Sequence, residues 1–176
     1  EKLPSVTTIL SATQSEEKKQ KLSEWRKRMG AQYADRVKDI AALRGTSMHS
    51  YLEGYIKNER HLDLTSIGQE AGRMAQKVIE SGLGDLEEVW GTEVTLYYPG
   101  LYAGATDIVG VYEGQPAIID FKQTNKPKKR EWVEDYCLQL AAYGMAHDFI
   151  YKTAITKAVI MMCSKDNFYQ EFVIAG

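Results

Sequence analysis

The stretch from Gly104 to Lys122, GATDIVGVYEGQPAIIDFK, constrains the fold of this chain more than any other part of the sequence. Its pattern predicts two antiparallel strands joined by a tight turn at Glu113-Gly114, and a two-residue loop or a symmetric four-residue loop gives the same register. In that register Asp107 lies directly opposite Asp120 in a non-hydrogen-bonded pair, which is the closer of the two kinds of pair. The hairpin therefore places two carboxylates on one face of a sheet.

Two opposed carboxylates at roughly 5 Å repel each other and destabilise a hairpin unless a cation lies between them. Lys122 adds an ammonium group on the same face, because it follows Asp120 by two residues. Oxygen ligands favour a hard cation, so the pattern predicts Mg²⁺ or Mn²⁺ rather than zinc. Such an ion completes its coordination shell with water and substrate phosphates, which indicates phosphodiester hydrolysis through a metal-activated water. Lys122 would orient that water or offset charge in the transition state.

A plainer interpretation makes Asp107 and Lys122 a cross-strand surface pair and Asp120 the last residue of its strand. The apolar run Ala117-Ile118-Ile119 directly before Asp120 favours the metal site instead. A carboxylate that follows a core strand is rarely an ordinary surface residue.

The rest of the chain changes from a helical to a strand periodicity between its two halves. Helical patterns cover about residues 15–30, 31–59 with a potential break near Gly45, 65–81 and 131–151. Strand patterns cover about 89–98, 155–163 and 168–174, in addition to the hairpin. We therefore predict an α/β or α+β fold with a mixed sheet of about five strands flanked by helices, one crossover helix after the hairpin, and a helical N-terminal part.

Length and composition fit one domain over residues 1–176, mainly helical at 1–85 and carrying the catalytic sheet and crossover helix at 86–176. No apolar run approaches the ~20 residues that a membrane-spanning helix needs, so we expect no membrane partner. The two cysteines, Cys137 and Cys163, lack CxxC spacing. This argues against a zinc site or a cysteine-ligated iron–sulfur cluster and favours reduced thiols in an intracellular protein.

The charge pattern is locally basic although the net charge of the chain is −2. The run from Lys126 to Arg130, KPKKR, suits either a solvated loop or a contact with phosphates. Because it follows Lys122 closely, it would lie at the mouth of the metal site, where a phosphate contact is the better interpretation. Trp25, which precedes three basic residues, is a candidate for base stacking.

Four motifs in the chain resemble those of one enzyme superfamily. GATD…IIDFK is similar to the signature of the PD-(D/E)XK nucleases in their RecB-type exonuclease branch, where a glycine three residues before the first aspartate replaces the usual proline. Residues 44–49, RGTSMH, resemble the upstream histidine motif of that branch, and residues 136–143, YCLQLAAY, resemble its Gln-x3-Tyr helix motif. Residues 3–7 with Trp25-Arg26 resemble the N-terminal pattern of mitochondrial genome maintenance exonucleases and their phage and bacterial relatives.

The resemblance implies a PD-(D/E)XK-type core and a metal-dependent deoxyribonuclease, an exonuclease that prefers single-stranded DNA ends. The implied catalytic residues are Asp107, Asp120 and Lys122. The implied metal ligands are His49, Asp107, Asp120 and the backbone carbonyl of Phe121, with Glu93 as an additional acid. Gln139 and Tyr143 would support the site or contact DNA. The candidate DNA contacts are Ser5, Trp25, Arg44, Lys126, Lys128, Lys129 and Arg130.

Two alternatives remain open at the level of sequence. One is a structure-specific endonuclease built on the same core, and the other is a DNA-binding module with a vestigial site. The expected location is the bacterial or phage-infected cytoplasm, or the mitochondrial matrix if the source is eukaryotic.

Overall fold

A five-stranded sheet with helices on both faces forms the architecture of the protein, as a computed structural model of residues 2–176 shows. The helices are α1 (Val6–Ala12), α2 (Glu16–Met29), α3 (Ala31–Lys57), α4 (Ser66–Ser81) and α5 (Glu134–Tyr151). The strands are β1 (Leu86–Tyr98), β2 (Tyr102–Tyr112), β3 (Gln115–Thr124), β4 (Lys157–Ser164) and β5 (Tyr169–Ala175). The predicted mixed fold of five strands flanked by helices is confirmed.

The sheet has its strands in sequence order, β1-β2-β3-β4-β5. All neighbouring strands are antiparallel except β3 and β4, which are parallel. A parallel pair needs a long crossover connection, and α5 supplies it, as the sequence predicted. None of the helices formed by residues 2–176 is both long and apolar enough to cross a membrane.

The hairpin between β2 and β3 has the predicted two-residue turn. Glu113 and Gly114 both have positive φ, at 46° and 75°, which is the conformation of a type I′ turn. The twist of this turn matches that of the strands it connects, so it fixes the register. The observed pairs run from Tyr112–Gln115 to Ile108–Ile119, which is the predicted register.

Backbone pairing between β2 and β3 ends at Ile108–Ile119. Beyond that pair β2 continues only beside β1, and β3 continues only beside β4. The sheet therefore opens between its second and third strands, and we call this opening the fork. Asp107 and Asp120 are the first residues past the last pair, so the same register brings them together at the fork.

Two hydrophobic clusters cover the two faces of the sheet. Helices α3 and α4 pack on one face, and α4 contributes Ala71, Met74, Ala75 and Val78, the repeat of an amphipathic helix. Helices α1 and α5 pack on the other face against alternate residues of the same strands. Asp120 and Lys122 lie on the α5 face, because they alternate with Ile119 and Phe121, which pack beneath α3 and α4.

One sequence expectation about local structure was wrong. Helix α3 runs for 27 residues without a break at Gly45. The glycine instead permits close packing on β3, since a Cβ there would lie 3.2 Å from the Gln123 side chain. Helix α2 is capped by Ser15, whose hydroxyl accepts from the Lys18 N–H.

The turn geometry predicts opposite effects for its two residues. We expect Gly114→Ala to lower the free energy of unfolding by about 1–2 kcal/mol, because an alanine is strained at positive φ. Glu113→Asn should raise it slightly, because asparagine tolerates this conformation better than glutamate. Urea denaturation measures both changes. Gly84→Ala, whose Cβ would enter open space, is the control, and equal stability of the two alanine variants would contradict the assignment.

Candidate active site

Asp107 is held at the fork by a backbone group that the sheet leaves free. The Phe121 N–H donates to Asp107 Oδ2 at 2.7 Å, across the gap where the β2–β3 ladder has ended. The N–H and the carbonyl of one strand residue point to the same edge, so the Phe121 carbonyl also faces the fork. Its role as a metal ligand remains a prediction that this orientation permits.

His49 reaches the fork from α3. Its Nδ1 lies 3.0 Å from Asp107 Oδ1, and its side chain is about one-third exposed. The close packing of Gly45 on β3 brings α3 near the strands, and His49 follows Gly45 by one helical turn. The imidazole thus lines a cleft of about 610 Å³ together with Phe121 and Lys122.

Glu93 completes a cluster of potential metal ligands. It lies on β1 between the pairs Thr92–Ile108 and Val94–Thr106, which places it beside Asp107. Its φ of 48° is a left-handed conformation, and for a residue other than glycine this costs about 1 kcal/mol or more. One ligand atom each from His49, Glu93 and Asp107 lies within 4.8 Å of the others, so the three side chains could hold a metal ion.

Asp120 and Lys122 form an ion pair next to this cluster. Asp120 is buried, and its Oδ2 lies 2.7 Å from Lys122 Nζ. Among residues 2–176 this oxygen has no partner with hydrogen-bond geometry, so the ammonium is its only neutralising contact. A buried carboxylate oxygen that has one ammonium and no hydrogen-bond donor beside it suits a site that also receives a cation.

Helix α5 holds Lys122 through a relay of hydrogen bonds. Lys122 Nζ donates to Gln139 Oε1 at 3.2 Å, and Gln139 Nε2 donates to the Tyr143 hydroxyl at 3.0 Å. The Lys122 ammonium also lies 4.8 Å from the centre of the Tyr136 ring. Tyr143 packs where Gly104 leaves room, since a Cβ on Gly104 would lie 2.6 Å from its ring. Gln139 and Tyr143 are both buried, which fits support of the site better than contact with DNA.

The charges at the fork shift one another's proton affinity. Burial raises the pKa of the Asp107 carboxyl to about 7, and the nearby Asp120 carboxylate adds to this effect. Burial opposes protonation of His49, yet the hydrogen bond to Asp107 and the negative charges of Asp107 and Asp120 together outweigh burial and raise the imidazole pKa. Burial likewise opposes the charged form of Lys122, but the attraction of Asp120 raises its pKa above the ordinary value.

The predicted DNA contacts fall into separate places. Trp25, Lys126 and Lys128 line one groove of about 500 Å³ next to the active-site cleft. Lys129 instead lies over the Trp132 ring, with Nζ 5.4 Å from the ring centre. Arg130 and Ser5 have partners within the protein. Arg130 Nη1 donates to the Val173 carbonyl at 3.3 Å, and the Ser5 hydroxyl caps α1 by accepting from the Thr8 N–H.

Arg44, which was predicted to contact DNA, has a buried side chain in the structure. Its side chain is 3% exposed and donates to Gln123 Oε1 at 2.9 Å, to Glu70 Oε1 at 3.0 Å and to Asn125 Oδ1. These bonds tie α3 and α4 to the end of β3. The arrangement argues for a structural role, because a phosphate contact would require breaking a buried network.

The residues of the groove that the sequence analysis did not single out include Tyr33 and Lys165. Tyr33 follows Trp25 and Met29 at four-residue spacing, and this signal was overlooked because Gly30 separates the two helices. Lys165 lies in the turn between β4 and β5, and nothing local in the sequence relates it to Lys126.

Comparisons with known proteins bear on the relatives and the fold of the chain. No family model matches the chain. Mitochondrial genome maintenance exonuclease 1 of Mus musculus is 28% identical over 173 residues, and that of Homo sapiens is 29% identical over 175 residues. Each alignment covers 93% of this chain and 50% of the relative, so the chain spans about half the length of the curated relatives it matches. These relatives support a relationship between this chain and a superfamily of nucleases.

A solved structure supports the same fold. A protein of Eubacterium rectale, named provisionally as an exonuclease, superimposes with a TM-score of 0.53 at 14% sequence identity. The superposition covers 78% of this chain and 59% of that protein. At this level of identity the match concerns the fold alone.

The packing of Gly104 against Tyr143 generates a prediction about the relay behind Lys122. We expect Gly104→Ala to lower the free energy of unfolding by about 1–3 kcal/mol, because the new methyl group overlaps the Tyr143 ring. Urea denaturation of Gly104→Ala and of Gly84→Ala, the control with open space at its Cβ, measures the effect. Equal stabilities would show that Tyr143 is not held by this contact.

Proposed function

We propose that the protein is a metal-dependent DNA exonuclease that hydrolyses phosphodiester bonds, preferentially at single-stranded ends. The observation that carries the proposal is the juxtaposition of His49, Glu93 and Asp107 with the Asp120–Lys122 pair at the fork. The relatives are named exonucleases, which supports phosphodiester hydrolysis as the reaction. Their name also refers to genome maintenance, which supports DNA as the substrate. The proposed nuclease domain comprises residues 1–176.

The donor set fits a hard divalent cation. His49, Glu93 and Asp107 would hold it, with Asp120 and the Phe121 carbonyl adjacent, and carboxylate oxygens favour Mg²⁺ or Mn²⁺. When bound, the ion would polarise the phosphoryl oxygen and lower the pKa of a coordinated water.

The residues of the chain supply positioning and charge. Asp107 is fixed by Phe121 and His49, so its carboxylate is oriented before substrate arrives. Lys122 carries its proton firmly because Asp120 raises its pKa, and its ammonium would stabilise the negative charge that develops on the phosphate. Gln139 keeps that ammonium at the cleft instead of allowing it to turn toward solvent.

Removal of Lys122 tests the proposal. We expect Lys122→Met to lower cleavage of end-labelled single-stranded DNA by at least about 100-fold, because the fixed positive charge in the transition state is lost. Asp107→Asn should have an effect at least as large, and EDTA should abolish cleavage by the unmodified protein. Lys38→Met, which removes an exposed lysine of α3 outside the cleft, should cleave normally. Full activity of Lys122→Met with its fold intact would overturn the assignment.

Two measurements separate the proposed exonuclease from its alternatives. An exonuclease degrades linear single strands and leaves covalently closed circular single strands intact, whereas an endonuclease cuts both. A DNA-binding module with a vestigial site would bind no divalent cation, and calorimetric titration with Mn²⁺ detects that case directly.

The pKa of Asp107 predicts how metal affinity depends on pH. At pH 6 the Asp107 carboxyl, with a pKa raised to about 7, mostly carries a proton, and the raised pKa of His49 acts in the same direction. A cation must displace those protons, so affinity for Mn²⁺ should rise at least about fivefold from pH 6 to 7, which is the increase in the ionised fraction of Asp107, and should stop rising once both groups have lost their protons. Calorimetry at pH 6, 7 and 8 measures the change, and a pH-independent affinity would contradict the assignment of Asp107 as a ligand.

A further inference from the structure

A second groove of about 500 Å³ lies beside the cleft, between the α2–α3 arm and the ends of two strands. We call it the α2–α3 groove. One wall is a stripe of apolar and aromatic side chains, namely Trp25, Met29, Tyr33, Val37 and Ile40. The other wall carries three lysines, Lys126, Lys128 and Lys165, from the segments that follow β3 and β4.

The apolar wall is exposed in a way that core packing does not explain. Tyr33 is 50% exposed, Met29 is 41% exposed and Ile40 is 38% exposed. Helix α2 buries none of its residues. It is nevertheless anchored by two ion pairs, Lys18–Asp135 at 3.1 Å and Arg26–Asp35 at 2.7 Å. The apolar stripe is therefore an exposed surface on helices that ion pairs connect to the rest of the protein, and it is not part of the interior.

The basic wall is fixed in its backbone and free in its side chains. The Lys165 N–H donates to the Thr124 carbonyl at 2.9 Å, and the Lys128 N–H donates to Gln170 Oε1 at 2.8 Å. Within the described residues 2–176, none of the three groove lysines has a carboxylate within ion-pair distance. Three unpaired ammonium groups in a chain of net charge −2 form a local site for anions.

The groove adjoins the candidate active site, and Arg44 connects residues of the two. Arg44 binds Gln123, which lines the cleft, and Asn125, which lines the groove. Lys122 lies near the end of β3, and Lys126 follows it by four residues. The end of β3 and the segment after it therefore lead from the candidate active site to the groove. A polymer bound at the fork would reach this wall with its neighbouring units.

We propose that the α2–α3 groove binds the unpaired strand of the DNA substrate, with bases against Trp25 and Tyr33 and phosphates at Lys126, Lys128 and Lys165. Aromatic side chains beside a line of lysines are the combination that single-strand binders use, since unpaired bases expose faces that can stack. A duplex stacks its bases internally and offers only its backbone and groove edges. This inference rests on the proposed function and adds the place where single strands are selected.

Binding in the absence of metal tests the groove separately from catalysis. Fluorescence anisotropy with a labelled dT20 oligomer in EDTA should show about tenfold weaker binding for Tyr33→Ala, because base stacking is lost. Lys165→Ala should also bind more weakly and should lower the slope of log affinity against log salt by about 0.7. The matched controls, Tyr55→Ala and Lys38→Ala, remove exposed residues of α3 outside the groove and should bind dT20 normally.

Hydrolysis of bis-p-nitrophenyl phosphate with Mn²⁺ distinguishes the groove from the reaction itself. This substrate is too short to reach the groove, so both groove variants should hydrolyse it as the unmodified protein does. Weaker dT20 binding without hydrolysis by any form would leave the groove supported and reject the proposed nuclease. Unchanged dT20 binding by both groove variants, equal affinity for duplex, or a preference for rU20 would overturn the inference.

Discussion

The rest of the site depends on one constraint, which is that the carboxylates of Asp107 and Asp120 lie close together just past the end of the β2–β3 ladder. Two carboxylates meet there in a buried position, and no ordinary sheet tolerates that without compensation. The ladder stops one pair before these carboxylates, the Phe121 N–H donates to Asp107, and Lys122 pairs with Asp120. The fork is therefore a repulsive contact with its compensating charges arranged around it.

The two faces of the sheet contribute differently to this centre. From the α3 face, the close packing of Gly45 allows His49 to reach Asp107. From the α5 face, Gln139 and Tyr143 hold Lys122 from behind. Potential metal ligands thus come from α3, β1 and β2, and the ammonium comes from β3. A site assembled from separate elements is rigid only if each element is packed, and both hydrophobic clusters extend to it.

The features that could be predicted from the sequence are those that neighbouring residues determine. The Glu113-Gly114 turn fixes the hairpin register, and alternation along β3 then places Asp120 and Lys122 on one face. What could not be predicted from residues alone are contacts between distant elements. The 58-residue separation of His49 from Asp107 is one case, and family resemblance was its only signal. The left-handed backbone conformation of Glu93 could not be predicted either, because glutamate rarely adopts a positive φ and nothing in the sequence indicates one there. The buried hydrogen bonds of Arg44 are a further case, because its partners lie far along the chain.

The central claim is that His49, Glu93 and Asp107 hold one divalent cation beside Lys122. Anomalous diffraction from crystals soaked in MnCl₂ tests this most directly, because it locates manganese without reference to activity. The account predicts an anomalous peak within coordination distance of these three side chains and adjacent to the Asp120–Lys122 pair. Manganese bound elsewhere with this cluster empty, at a pH above the Asp107 pKa, would contradict it.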